Sequence, residues 1–330
     1  MNKRIKNEHV SIQIIAKKNG FGISKDIEII ASLLEKEGYK VHFRPICRQK
    51  KVWRYRLSRF FQRLLKYKNN TQNINIFLEH LDKNYIEERD INIFMPNPEW
   101  TERYDEEALY QIDYILCKTF FTEEIFDPYG IPTYYSGFTC EDQLLGSVKK
   151  KKTFFHLAGN SAQKGTDPIV DLWLKHPEWP QLTVVQNPQR YTREKELKVD
   201  NINYILQYVD EDVLQKLKNE NLFHLCPSEA EGFGHYIAEG MSCGAIVLTT
   251  DAPPMNELIT ADRGILVKYE SKMPQRLGMN YYVDKQDLER QINKMIMLSE
   301  TEHEKLSAAS REWYLHNHKA FDVRLKTFIE

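Results

Sequence analysis

Apolar positions follow two alternating rhythms along this chain: short runs bounded by turn formers, and longer stretches with apolar residues three or four apart. Val10 to Ala16 is such a run, Asn19-Gly20-Phe21-Gly22 is a glycine-bearing turn, and Ile27, Ile30, Leu33 and Leu34 share one helix face before a second run from Val41 to Ile46. Strand, helix, strand in that order predicts a βαβ unit, and hence a parallel sheet. Ile74 to Leu78, Ile91 to Met95, Ile112 to Cys117 and Thr133 to Tyr135 complete the strands of one α/β domain. Gly146-Ser147 and the run Lys149 to Lys152 then read as a linker, after which the alternation restarts at Thr153 to Ala158. Further strands are predicted over Leu182 to Gln186, Ile202 to Gln207, Leu222 to Leu225, Ala245 to Thr249 and Gly264 to Val267, and closing helices over Asp287 to Leu298 and Glu302 to His318. The expected architecture is two doubly wound, Rossmann-like domains, 1–148 and 149–330. The last helix is a candidate to pack back on the first domain. Open α/β sheets of this kind bind ligands at their carboxyl strand ends.

With 42% hydrophobic and 28% charged residues in 330, the composition is that of an ordinary globular protein, and each half is long enough for its own core. No stretch approaches the roughly 18 to 20 apolar residues of a membrane span, and Met1 to Val10 is polar, so a cytoplasmic protein is expected. The five scattered cysteines lack the close pairs of a zinc site or a disulfide framework. A net charge of -1 gives no global field for nucleic acid. The charge is nevertheless uneven. Arg48 to Lys68 holds nine basic residues and no acidic one, with Trp53, Leu57, Phe60, Phe61, Leu64 and Leu65 at helical spacing. This amphipathic basic helix suits an anionic membrane surface, and equally a core-packed helix with solvated arginines.

The densest chemistry lies in Pro227-Ser228-Glu229-Ala230-Glu231-Gly232-Phe233-Gly234-His235-Tyr236-Ile237-Ala238-Glu239-Gly240-Met241-Ser242-Cys243-Gly244. A strand ends there, a Gly-x-Gly turn follows, and a helix begins with small residues, so backbone N–H groups at its start can face a phosphate. Glu231 in the turn and Glu239 two helical turns on are placed to grip hydroxyls on either side of that phosphate. The same residues also suit a plain capping box of Ser228 with Glu231, with Glu239 on solvated helix surface. Asp210-Glu211-Asp212 mimics a metal-binding triplet, but its position before Val213, Leu214 and Leu217 predicts an acidic helix start. Gly20 and Gly22 lack the third glycine and the downstream acid of a dinucleotide fingerprint, which excludes a dehydrogenase.

The stretch resembles the glutamate-x7-glutamate motif of the retaining, family-4 glycosyltransferases of GT-B fold, in spacing and in both flanks, over about residues 153 to 315. The resemblance implies that Glu231 contacts the donor sugar and Glu239 the nucleotide ribose, and that the amides of Phe233, Gly234 and His235 meet the diphosphate. Lys164, in Gly159-Asn160-Ser161-Ala162-Gln163-Lys164-Gly165, is similar to the family's phosphate-binding lysine, and Gly20 and Gly22 to its N-terminal glycine loop. A lysine and a helix N-terminus stabilise a departing nucleoside diphosphate without metal. Asn160 stands where the family has an arginine. The N-terminal strand ending in Met95-Pro96-Asn97-Pro98-Glu99-Trp100 lacks the family's histidine, leaving His80, after the preceding strand, and equally Asn97 and Glu99, as candidates for the reacting centre.

The resulting expectation is a metal-independent retaining transferase with no cofactor. It would use a UDP- or GDP-sugar and act on a glycan or lipid-linked acceptor in bacterial surface polysaccharide or glycolipid synthesis, peripheral on the inner membrane face through residues 48–68. The competing expectation is a glycosyltransferase-like binding or scaffold protein that has lost turnover, which the missing arginine and histidine favour and the intact Lys164, Glu231 and Glu239 oppose.

Overall fold

The computed structural model of the chain describes residues 10–17, 22–46, 73–101, 106–191 and 199–330. Gly20 and the basic segment 48–68 lie outside them. The chain forms two compact units, residues 1–138 with 275–278 and 319–330, and residues 139–274 with 279–318.

The first unit is built on a six-stranded parallel sheet in the order β2-β1-β3-β4-β5-β6. Its described elements are β1 (Ser11–Ala16), α1 (Gly22–Lys36), β2 (Lys40–Pro45), β3 (Asn73–Leu78), β4 (Ile91–Met95), α2 (Glu106–Leu109), β5 (Tyr114–Cys117), α3 (Phe120–Phe126) and β6 (Thr133–Tyr135). The central strands are buried on both faces and are mostly apolar, and the buried Asn75 of β3 donates its amide to Asn92 Oδ1 of β4 at 3.0 Å. In α1, Ile23, Ile27, Ile30, Leu33 and Leu34 face the sheet, and Asp26 is buried among them. Phe77, Phe94, Ile115 and Phe126 centre one core cluster, with Phe94 and Phe126 edge to face at 6.1 Å.

The second unit contains β7 (Lys151–Gly159), α4 (Thr166–Lys175), β8 (Leu182–Gln186), β9 (Ile202–Ile205), α5 (Glu211–Glu220), β10 (Asn221–Cys226), α6 (His235–Ser242), β11 (Ile246–Thr250), α7 (Met255–Leu258), β12 (Ile265–Val267), β13 (Tyr269–Gln275), β14 (Gly278–Val283), α8 (Lys285–Met297) and α9 (Glu300–Ile329). Residues 275–278 and the end of α9 belong to the first unit. The sheet is parallel throughout in the order β12-β11-β10-β7-β8-β9, so the chain enters at β7 and winds outward first one way and then the other. β7 and β10 are therefore neighbours whose connections leave in opposite directions, which places their carboxyl ends at the topological switch point. Phe154, Trp173, Phe223, Leu225 and Leu248 fill the core beneath.

Two differences from the sequence reading have clear causes. The units divide at residue 138, not 148, because Gln143 and Leu145 are tied to α5. The Gln143 carbonyl accepts from Asn219 Nδ2 at 2.7 Å, and the Leu145 N–H donates to Asn219 Oδ1 at 2.9 Å. The β13–β14 hairpin was not expected, since β13 is exposed along nearly its whole length and shows no period-two pattern. Asp210 does precede α5 as its N-cap, with Glu211 and Asp212 in the first turn.

One glycine brings the ends of β7 and β10 together. Gly165, the N-cap of α4, has φ +66°, and a Cβ there would lie 2.4 Å from the Pro227 carbonyl oxygen. Gly165→Ala is expected to destabilise the protein by about 2 kcal/mol or more, through backbone strain plus the clash. The change is read as a lower urea midpoint, and an unchanged midpoint refutes this packing.

Candidate active site

The loops leaving β7 and β10 run side by side. The Glu229 N–H donates to the Gln163 carbonyl at 2.9 Å, and Gly165 packs on Pro227. This brings Lys164 and Glu231 into a direct ion pair, with side chains only 19% and 10% exposed. Ser228 Oγ donates to the same Glu231 oxygen, and the Tyr236 hydroxyl lies 2.5 Å from Ser228 Oγ. The Lys164 ammonium also sits 4.0 Å over the Tyr236 ring centroid. Ser228 and Glu231 thus bond side chain to side chain, and α6 begins only at His235, so they form no capping box.

Gly234, with φ +103°, turns the chain into α6, which starts without a side-chain cap. Such a helix start presents backbone N–H groups and the positive end of the dipole. Phe233 is buried and meets His235 edge to face at 5.7 Å. Glu239, two turns along α6, is not solvated. It is 3% exposed, and its Oε2 lies 2.8 Å from the ammonium of Lys218, itself buried in α5. Lys218 also donates to Gln143 Oε1 at 3.2 Å. The pair lines a small cavity with Tyr236, His224 and Cys226.

Beneath the loops, His156 of β7 is fully buried. Its Nδ1 donates to the Leu225 carbonyl at 2.7 Å, and its Nε2 accepts from the Thr166 hydroxyl at 2.9 Å, which pins the start of α4 to the end of β10. Burial, against the bond to Leu225 and with help from the nearby Lys164 charge, lowers its pKa to about 4. On the far side, Gln163 Nε2 donates to Asn280 Oδ1 at 3.0 Å and the Tyr281 N–H donates to the Glu229 carbonyl at 2.8 Å, so β14 braces both loops. At the rim, Asn160 Oδ1 accepts from Arg190 Nε at 3.3 Å. A guanidinium from the turn after β8 therefore stands beside the position where the sequence has none.

The remaining expected site residues belong to the first unit. Gly22 opens α1, and Gly20 lies outside the described residues. His80 follows β3, its Nε2 3.4 Å from Glu79 Oε1. Glu79 is the more constrained of the two. Its φ is +66°, it accepts from Asn97 Nδ2 at 3.2 Å, and burial, opposed by that bond and by the charges of Lys118 and Arg276, raises its carboxyl pKa. Lys118 in turn donates to Asn97 Oδ1 at 2.9 Å and pairs with Asp26 at 2.5 Å, both nearly inaccessible.

A family model described as glycosyl transferases group 1 matches residues 143–310, half of the chain. The chain belongs to the glycosyl transferases group 1 family. Over 97% of its length this glycosyltransferase is similar in structure to the sucrose-phosphate synthase of Thermosynechococcus elongatus (12% identity, 98% of that chain, TM-score 0.70). Over the same share it is similar to Anabaena HepE, solved in complex with UDP and glucose (14% identity, 99% of that chain, TM-score 0.66). The E. coli trehalose-6-phosphate protein bound with UDP-2-fluoro glucose is similar over 97% of this chain and 98% of that one (10% identity, TM-score 0.65). These likenesses establish the GT-B fold. No curated protein sequence matches the chain.

Sequence reasoning missed Tyr236, Lys218, Glu79 and Lys118 in the glycosyltransferase. Tyr236 and Lys218 lie at ordinary helix positions, and the one visible signal was a polar residue on an otherwise apolar face, as for Asp26 in α1.

Two outcomes follow from the buried groups. His156, and His224 with a pKa lowered to about 3, are neutral when folded and take up protons on unfolding once the pH falls below the free value of 6.5. Their contribution is therefore complete above pH 6.5 and is lost as the pH falls below it, through about 4 for His156 and about 3 for His224. Urea unfolding between pH 7 and 4 should show stability falling, with a shallower slope in His156→Gln. Separately, Lys218→Met removes the ammonium that faces the buried Glu239 carboxylate and should cost about 3–5 kcal/mol, largely recovered by adding Glu239→Gln.

Proposed function

We propose that this glycosyltransferase moves a sugar from a UDP- or GDP-sugar to a glycan or lipid-linked acceptor with retention and without a metal. The observation that carries this reading is the convergence of Lys164 and Glu231 beside the start of α6. In this reading the Lys164 ammonium and the amides around Phe233, Gly234 and His235 receive the diphosphate, with Asn160 and Arg190 at the rim. Glu231 holds the donor sugar. Glu239, its charge balanced by Lys218, holds ribose hydroxyls.

As the bond between the sugar carbon and the phosphate oxygen breaks, negative charge grows on the departing phosphate, where a fixed ammonium and a helix N-terminus stabilise it most. Glu231 already accepts from Ser228, which makes it a poor nucleophile. Attack from the face the phosphate leaves, with that phosphate taking the acceptor proton, then gives retention. His80, Gly20 and Gly22 are assigned to the acceptor-side unit. The basic segment 48–68 supports work at an anionic membrane surface on the inner side, as in surface polysaccharide or glycolipid assembly.

The test is a thermal-shift and hydrolysis screen against UDP, GDP, UDP-glucose and GDP-mannose with EDTA present. A nucleotide at 100 times its Kd should add about 2.7 kcal/mol. One nucleotide class should stabilise the protein, its sugar should be released slowly with the anomeric configuration kept, and release should be lost in Glu231→Ala and Lys164→Ala. Stabilisation by none of the nucleotides, or unaltered release in both variants, contradicts the reading.

A further inference from the structure

Tyr236 has no part in the donor site as assigned so far, yet both charged members of that site touch it or reach it through one atom. Its ring lies under the Lys164 ammonium at 4.0 Å, and its hydroxyl lies 2.5 Å from Ser228 Oγ, which donates to Glu231. The direction of the hydroxyl chain is determined. A carboxylate in an ion pair only accepts, so the single Ser228 proton points at Glu231 and the Tyr236 proton points at Ser228. The Tyr236 side chain is itself 8% exposed, and burial first of all, with the nearby Cys226 and Glu231 adding to it, raises its pKa well above 10, so it stays a neutral donor.

Tyr236 is held from below as well. It is the second residue of α6, and the helix is fixed by the Gly234 carbonyl accepting from the Ile237 and Ala238 N–H groups at 3.0 and 3.1 Å. The ring therefore projects from a rigid element, whereas Lys164 and Glu231 both lie in loops. Lysine carries four rotatable bonds, and a cation held over an aromatic face loses part of that freedom before any ligand arrives. A hydroxyl chain ending on one carboxylate oxygen likewise selects one rotamer of Glu231.

Resting on the donor reading above, we propose that Tyr236 is a positioning residue for both halves of the donor. Its ring seats the lysine that meets the diphosphate, and its hydroxyl, through Ser228, orients the carboxylate that meets the sugar. The two functions reside in different parts of one side chain and so separate by substitution. Tyr236→Phe keeps the ring and breaks the hydroxyl chain. Tyr236→Leu removes both.

The experiment uses the full chain with three readouts: acetylation of Lys164 by acetic anhydride followed by mass spectrometry, the Kd for UDP, and the kinetics of UDP-glucose hydrolysis. Tyr236→Phe should leave Lys164 acetylation and the UDP Kd at wild-type values while kcat for hydrolysis falls about tenfold with KM little changed, the split expected when only the oriented carboxylate is lost. Tyr236→Leu should in addition acetylate Lys164 several times faster and weaken UDP about tenfold. Ser228→Ala should match Tyr236→Phe. Thermal melts separate these effects from unfolding, which would raise acetylation at every lysine rather than at Lys164 alone.

Equal acetylation of Lys164 in the wild type and Tyr236→Leu overturns the proposal, and so does a Tyr236→Phe enzyme with wild-type kcat. If the wild type binds neither UDP nor GDP, the donor reading fails. The acetylation result then still decides whether Tyr236 seats Lys164.

Discussion

The contact between Lys164 and Glu231 organises the second unit. The two residues are 67 positions apart and meet only because β7 and β10 are adjacent central strands with connections leaving in opposite directions. Every close approach around them serves that meeting. Gly165 has no Cβ to strike Pro227, His156 ties the start of α4 to the end of β10, and β14 braces both loops through Asn280 and Tyr281. The ion pair is mostly withdrawn from water, where Coulomb attraction is stronger and a misplaced charge costs more.

The same logic explains the polar groups buried beneath the site. Lys218 and Glu239 join α5 to α6, and Gln143 shares the ammonium, so the helix carrying Tyr236 is fixed in position by a charge pair that tolerates little movement. A buried pair of this kind adds little net stability because both charges have lost their water. Its effect here is to specify one arrangement of α5, α6 and the 139–148 segment. In the first unit, Asp26, Lys118, Asn97 and Glu79 form a comparable chain at the carboxyl ends of β3, β4 and β5, and Glu79 is held there in a left-handed backbone conformation. Strain of that sort persists only where surrounding contacts over-determine it.

Most of the sheet framework was legible because strands buried on both faces are mostly apolar, and Ile91 to Met95 or Leu182 to Gln186 can be read directly. The β13–β14 hairpin was not, since β13 is exposed along nearly its whole length and needs no apolar alternation. The end of α9 was also missed. Its apolar residues past His318 belong to the first unit, so the helix has no single apolar face to follow. Among the candidate site residues, Lys164, Glu231 and Glu239 were legible as candidates from spacing and flanks. That Glu239 is paired with Lys218 was not, because the whole of β10 and the loop after it separate them in sequence and only the fold brings α5 against α6. Arg190 beside Asn160 is a similar case, in which a position poor in charge along the chain has a cation next to it in space.

The central claim is that Lys164 is held ready by Glu231 and is given up to the diphosphate. Calorimetric titration of UDP into the wild type, Glu231→Gln and Lys164→Met tests it most directly. The account predicts that Lys164→Met weakens UDP by about tenfold or more, since a charge-assisted contact is lost. It also predicts that Glu231→Gln binds UDP more tightly than the wild type, because the lysine has no carboxylate to leave and the phosphates meet one negative charge fewer. Weaker UDP binding in Glu231→Gln, or wild-type binding in Lys164→Met, would contradict it.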